Sequence, residues 1–308
     1  MRLVFAGTPA VAVPSLRLLA DSPHEIVGVV TRPDAPLGRK RVLTASPVAA
    51  AAEELGLPVI KAARLDAAAT AAITALEPDL GVIVAYGGLV REPLLSAPRL
   101  GWINLHFSLL PAWRGAAPVQ HSIIAGDEEH GAAVFQLVPE LDAGAVFAEL
   151  RRPVDRHATA GDTLDRLAVE GAELLTAVVD ALADGTAVAQ PQRGEPSFAP
   201  KLSLDDGRLD WRQPAGRLLD RYRGVTPEPG AWGMLDGARV KILEARRVEP
   251  AEGATALAPG ELAPERRRLL VGTGDAPIEL VRVQPAGRSA MAAADWGRGL
   301  AAGASFEV

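Results

Sequence analysis

Two textures alternate over the first half of the chain. Continuous apolar runs of strand length, "RLVFA" from Arg2, "IVGVVT" from Ile26 and "LGVIVAYG" from Leu80, read as buried strands. Between them the punctuation is helical. Ser46 before Pro47 predicts an N-cap with proline at the first helical position, and Gly56 closes that helix. The strand "PVIKA" is followed by a helix from Asp66 to Glu77. Later, Leu164, Leu167, Leu174, Leu175, Val178 and Leu182 keep helical spacing as far as Gly185. Strands alternating with helices predict an α/β domain with a mostly parallel, doubly wound sheet.

The pattern breaks at Gln190. "QPQRGEPSFAPKLS" is polar and rich in proline, which predicts a linker over 190–204. Beyond it come short alternating runs, "ARVKILEA" after an Asp236-Gly237 turn, "RRLLVGTG" and "IELVRVQP". They predict a small antiparallel, barrel-like β domain. The expected division is therefore 1–189, a linker, and 205–308.

Composition narrows the chemistry. The 308 residues are 48% hydrophobic and 23% charged, enough for packed cores. Cysteine is absent, which excludes disulfides, thiolate catalysis and cysteine-based metal sites. "MRLVFAGTP" enters a strand without signal-peptide architecture, and no apolar run reaches membrane-spanning length, so a soluble, cytoplasmic protein is expected. The net charge of −6 argues against wholesale coating of nucleic acid but leaves room for a local basic contact.

The stretch "NLHFSLLPAWRGAAPVQ" carries the chemistry. Asn104 and His106 end an apolar strand and, two residues apart, share a face. Ligands in a doubly wound sheet bind at the carboxyl ends of strands. A lone histidine there is more often a satisfied core residue. The amide beside it, the tight "SLLP" turn and Asp142, after the strand-like "AAVFQLV", favour a site instead. An amide, an imidazole and a carboxylate at adjacent strand ends can stabilise an oxyanion and move a proton. One histidine and one carboxylate are too few ligands for zinc, and no metal is expected. Arg39, Lys40 and Arg41, in a loop after a proline-rich turn, read either as solvated surface or as phosphate contacts. Trp113 and Arg114 read equally as surface packing or as the mouth of the cleft. "FAGTPA" lacks the dinucleotide fingerprint, which disfavours a nicotinamide-dependent oxidoreductase.

"FAGTP", "GRKRVLTASPV", "VAYG", "NLHFSLLPAWRGAAPVQ", "LDAG", "FAPKLS", "LDW", "PGAW" and "VQPAGRSAM" occur in an order that resembles the folate-dependent formyltransferases, in particular those acting on aminoacylated initiator tRNA. The resemblance spans essentially the whole chain. It implies 10-formyltetrahydrofolate as donor, the α-amino group of methionine on initiator tRNA as acceptor, no metal, and a monomer. It also implies that Asn104, His106 and Asp142 are catalytic, and that Ser108, Leu109, Leu110 and Pro111, with Tyr86 and Gly87, line the folate pocket. Arg39, Lys40 and Arg41 would reach the acceptor stem, and an oligonucleotide-binding-type barrel would contact the tRNA body. Departures fall at Phe107, His130, Ala133 and Ala143, where the last two remove hydroxyls near the site. Rival readings are formylation of an amino sugar nucleotide or glycinamide ribonucleotide, hydrolysis of the formyl-folate, and a non-catalytic RNA-binding relative.

Overall fold

A computed structural model of the protein describes residues 1–38, 41–248 and 257–308. Its strands in chain order are β1 (Arg2–Gly7), β2 (Glu25–Thr31), β3 (Ala35–Leu37), β4 (Val42–Thr44), β5 (Val59–Lys61), β6 (Leu80–Val84), β7 (Trp102–His106), β8 (Arg114–Gly115), β9 (Glu129–Gln136), β10 (Val146–Pro153) and β11 (Phe198–Ala199). Then come β12 (Ala231–Leu235), β13 (Ala238–Arg247), β14 (Leu262–Pro264), β15 (Leu269–Val271), β16 (Ile278–Pro285) and β17 (Met291–Ala292). The α-helices are α1 (Val13–Ala20), α2 (Pro47–Glu54), α3 (Ala67–Thr74), α4 (Pro118–Ala125), α5 (Ala160–Asp184), α6 (Ala215–Gly224) and α7 (Ala293–Gly297).

Two units divide the chain. The first comprises Met1–Pro118, Glu129–Pro153 and Leu164–Pro200. The second comprises Val119–Glu128, Val154–Thr163 and Lys201–Val308. Both are therefore discontinuous in sequence.

In the first unit, seven strands run in the order β10-β9-β7-β6-β1-β2-β5. From β1 the chain winds outward through β2 to β5, then returns to β6 and β7 on the other side. That reversal makes the sheet doubly wound and puts the switch point between β1 and β6. The five strands from β7 to β5 are parallel, and β9 and β10 extend the sheet antiparallel. Val4, Ala6, Val30, Ile83 and Trp102 form part of the buried core. The Ser46 cap holds, its Oγ accepting from the Ala49 N–H; the helix expected from Asp66 to Glu77 runs over Ala67–Thr74, with Asp66 Oδ1 accepting from the Ala69 N–H ahead of it.

The expected linker behaves differently as far as Pro200. Gln190 and Val146 exchange two backbone hydrogen bonds of 2.8 Å, and β11 pairs in parallel with β8. Residues 190–200 are thus a strap bonded into the first unit. Polar, proline-rich composition describes a strap and a free linker equally well, because the strap's bonds run through backbone groups and short polar side chains.

The second unit is a curled antiparallel half-barrel in the order β12-β13-β16-β15-β14, with β17 beside β16. Asp236 and Gly237, both at positive φ, make the β12–β13 turn. Trp211 and Phe306 stack at 4.7 Å between ring centroids with planes 10° apart, at the centre of a core shared with α6. The two earlier segments are bound in as well. Arg223 of α6 donates to the backbone carbonyls of Asp155 and Ala158, and a Cβ on Gly224 would meet Ile124 of α4 at 2.5 Å.

Phe306→Ala removes one half of a fully buried aromatic stack. It is expected to destabilise the second unit by about 3–5 kcal/mol, read as an earlier urea transition for tryptophan fluorescence.

Candidate active site

β7 carries the site because it lies between a parallel and an antiparallel neighbour. Asn104 stands opposite Ile83 of β6 and Phe135 of β9, and His106 stands opposite Ala133 of β9. The His106 ring is buried, edge-on to Phe135 at 6.3 Å. Its Nε2 lies 2.9 Å from the backbone carbonyl of Trp113. A carbonyl only accepts, so Nε2 carries the hydrogen, and in the neutral ring the lone pair sits on Nδ1. Nδ1 faces Oδ2 of Asp142 at 3.9 Å. Burial pushes the imidazole below the usual histidine range, against the upward pull of the Asp142 charge and the Trp113 bond. The arrangement is a neutral base whose open nitrogen looks at a carboxylate.

Each partner is brought in by unusual backbone. Ser108 Oγ donates to the Ala112 carbonyl at 2.6 Å, closing the turn that follows β7, and Trp113 then sits at φ 62°. Its N–H donates to Ser197 Oγ at 2.9 Å. Asp142 was expected at a strand end adjacent to that of β7. Because β9 is antiparallel to β7, its carboxyl end lies at the opposite end of the sheet. The 137–145 loop therefore folds back to deliver the side chain, with Asp142 at φ 47° and the Gly115 N–H donating to its Oδ2 at 2.8 Å. Gly144 permits this: a Cβ there would lie 1.7 Å from the Gln136 carbonyl oxygen.

Asn104 completes the set. Its Oδ1 is buried with no hydrogen-bond partner among the described residues. Such a group costs about 1–3 kcal/mol when left unsatisfied, and a ligand N–H would relieve it. An amide that can both donate and accept, beside a neutral imidazole and a carboxylate, suits attack by an amine on an acyl carbon.

The other expected site residues divide. Gly87 sits at φ 79° at the end of β6, with open space where a Cβ would be. Tyr86 turns inward instead. Its ring is in the core, and its hydroxyl donates to the Ala62 carbonyl at 2.9 Å, so it supports the loop rather than lining a pocket with its side chain. Thr8 Oγ1 donates to the Tyr86 carbonyl at 3.0 Å and fastens that loop across the switch point. Ser108 is occupied by its turn, and Leu110 packs with Ala133, Phe135 and Val146, leaving Leu109 as the partly exposed member of "SLLP" before Pro111. Arg39 and Lys40 lie outside the described residues. Arg41 is exposed at φ 50°, its N–H donating to the Gly38 carbonyl, at the tip of a β3–β4 hairpin that displays Leu37, Val42 and Leu43 to solvent.

Sequence patterns missed the Trp113 carbonyl, the Gly115 amide and Ser197. Two are backbone groups with no side-chain signature, and the third sits in a turn-like composition. In the second unit the guanidinium groups of Arg239 and Arg208 lie 5.1 and 5.8 Å from the ring centroid of Trp232, a basic aromatic patch. Among the described residues no helix is long and apolar enough to cross a membrane.

Comparison with known proteins identifies the family. The family described as "Formyl transferase" matches residues 1–179, and "Formyl transferase, C-terminal domain" matches residues 201–301. The chain is 64% identical over 299 residues to a protein of Leifsonia xyli subsp. xyli named methionyl-tRNA formyltransferase, covering 97% of each. It is 60% identical over 300 residues to a protein of that name from Clavibacter sepedonicus, again covering 97% of each. Among solved structures, an N-formyltransferase from Helicobacter canadensis, in complex with folinic acid and dTDP-3-aminofucose, matches with a TM-score of 0.70. That match has 15% identity and covers 92% of this chain and 98% of the other. Matched by family over both its doubly wound sheet and its antiparallel half-barrel, and 64% identical over nearly its whole length to a protein of that family, this chain belongs to the formyl transferase family.

Proposed function

We propose that the protein transfers the formyl group of 10-formyltetrahydrofolate to the α-amino group of methionine on initiator tRNA, the activity for which its near-full-length relatives are named. The observation that carries the chemistry is the buried, neutral His106 between the Trp113 carbonyl and Asp142. The unpartnered Asn104 Oδ1 supports a ligand donor at that point.

In this reading Asn104 holds the reacting groups, its Nδ2 donating to the formyl oxygen as negative charge develops there. His106 takes at Nδ1 the proton that the attacking amine loses, and returns it to the leaving N10 of tetrahydrofolate as the tetrahedral intermediate collapses and the C–N10 bond breaks. The imidazolium in between is held by the Trp113 carbonyl on one side and the Asp142 carboxylate on the other, so charging the buried ring becomes affordable. Gly87 and the turn from Ser108 to Pro111 border the folate, with Leu109 as its apolar contact. Arg39, Lys40 and Arg41 meet acceptor-stem phosphates, and the Arg208–Trp232–Arg239 patch meets the tRNA body. The test is acid-gel separation of charged initiator tRNA after incubation with 10-formyltetrahydrofolate, with an amino sugar nucleotide tried in parallel. Formylation of the sugar and not of the tRNA would overturn the assignment.

His106→Ala is expected to lower kcat by about 10²-fold or more while folate binding persists. Retained turnover would remove the imidazole from the mechanism.

The pH dependence follows from the same geometry. Protonating His106 removes the base, and burial holds its titration low, so the enzymatic acid limb should fall below the ordinary histidine range. Asp142 pulls that titration upward, so in Asp142→Asn the imidazole should titrate lower still, with turnover largely lost. Imidazole NMR and a kcat–pH profile read both effects. An unchanged titration in the Asn variant would show that the carboxylate does not act on the ring.

Changing Arg39, Lys40 and Arg41 together to Ala should weaken tRNA binding and leave folate affinity unchanged. Each lost phosphate contact should lower the slope of log K against log salt by about 0.7–0.9. Parallel salt titrations for wild type and variant would remove the three residues from tRNA recognition.

A further inference from the structure

Gln192 lies in the strap, outside every group assigned a chemical role above. Its Nε2 donates to the Asp142 carbonyl at 2.7 Å and to the Gly144 carbonyl at 2.9 Å. Its Oε1 accepts from Arg114 Nε at 3.2 Å and from Arg114 Nη2 at 2.6 Å. Both amide hydrogens are used and the oxygen receives two donors, so the amide has one satisfied orientation. Flipping it would set its oxygen against two carbonyls and its hydrogens against a guanidinium.

The partners matter more than their number. Asp142 supplies the carboxylate that faces His106, and Gly144 is the residue whose missing Cβ lets that loop fold back. Arg114 stands between Trp113, whose carbonyl holds His106 Nε2, and Gly115, whose N–H holds Asp142 Oδ2. The same strap fastens the other side of this segment. Ser197 Oγ accepts from the Trp113 N–H, its carbonyl accepts from the Arg114 N–H at 2.9 Å, and the Ala199 carbonyl accepts from the Ala116 N–H at 2.9 Å. One side chain thus bridges the two loops that hold the base and its carboxylate.

We propose that the 190–200 strap is a positioning device for catalysis, with Gln192 as the positioning residue that sets the separation between His106 and Asp142. The role rests on the transferase reading above. Gln192 touches no reacting atom in this scheme. It acts by keeping the proton acceptor and its counter-charge in register, and misplacement of about 1 Å at such a site is enough to cost 10²-fold in rate.

The experiment uses the full chain with Gln192→Met, which keeps side-chain length and removes all four hydrogen bonds. Gln192→Glu, which keeps acceptors for Arg114 and loses both donations, is measured beside it and carries the test if the Met variant does not fold. Expected for either variant is a fall in kcat of about tenfold or more, with KM for tRNA and for folate within about twofold of wild type. The thermal midpoint should fall by about a few degrees as the hydrogen bonds are lost, with the fold kept. For Gln192→Met, the His106 imidazole, followed by NMR, should titrate lower than in wild type, because the Asp142 charge is no longer held against it. A kcat within about twofold of wild type would overturn the proposal. So would a loss of activity that tracks the thermal midpoint while the Met variant's imidazole titrates as in wild type. If the wild-type protein formylates nothing, the functional reading falls, while the imidazole titration still reads the strap on its own.

Discussion

A single hydrogen bond, from His106 Nε2 to the Trp113 carbonyl, orders the chemistry of the first unit. It fixes which nitrogen carries the proton, and so which one is free to accept another. It also requires the chain to return to the end of β7 within seven residues, which the Ser108 turn and the positive φ of Trp113 accomplish. Burial keeps the ring neutral, and Asp142 makes the charged form tolerable once a proton arrives. Removing the carbonyl would leave a buried imidazole free to adopt either tautomer.

The parallel part of the sheet and its antiparallel edge contribute different things. Parallel winding brings the ends of β1, β6 and β7 to one rim, with Gly87 and His106 among the residues there. The antiparallel strand β9 gives up a nearby carboxyl end and leaves the acid to a long loop. That loop holds its course through glycine at 144, through the Gly115 amide and through the side chain of Gln192 in the strap. The carboxylate is therefore placed by hydrogen bonds between loops rather than by a strand register.

Legibility in the sequence followed the physics of each element. Strands such as Leu80–Val84 and the Ser46-capped helix α2 are dictated locally, by continuous burial and by a cap, and they were readable. The shared face of Asn104 and His106 was readable because strand periodicity is strict. The direction of β9 was not, since an apolar run carries no sign of which way its neighbour points. Tyr86 shows the same limit at the level of one side chain. Its position in "VAYG" marks the strand end, but whether the ring faces ligand or core depends on the Ala62 carbonyl, far away in sequence. The strap was hidden for a third reason. Its cohesion lies in amide and hydroxyl groups whose partners, backbone atoms and the Arg114 guanidinium, lie far away in sequence, and composition registers only that they are polar.

The interleaving of the two units bears on how such a protein can be recombined. A fragment encoding Lys201–Val308 alone would omit Val119–Glu128 and Val154–Thr163, and with them the carbonyls that receive Arg223 and the helix that packs on Gly224. One crossover cannot transplant the half-barrel whole. Viable chimaeras between relatives must either exchange the two interior segments along with it or draw parents whose α4 and α6 surfaces already match, so gene shuffling at this locus is constrained at three places in the sequence instead of one.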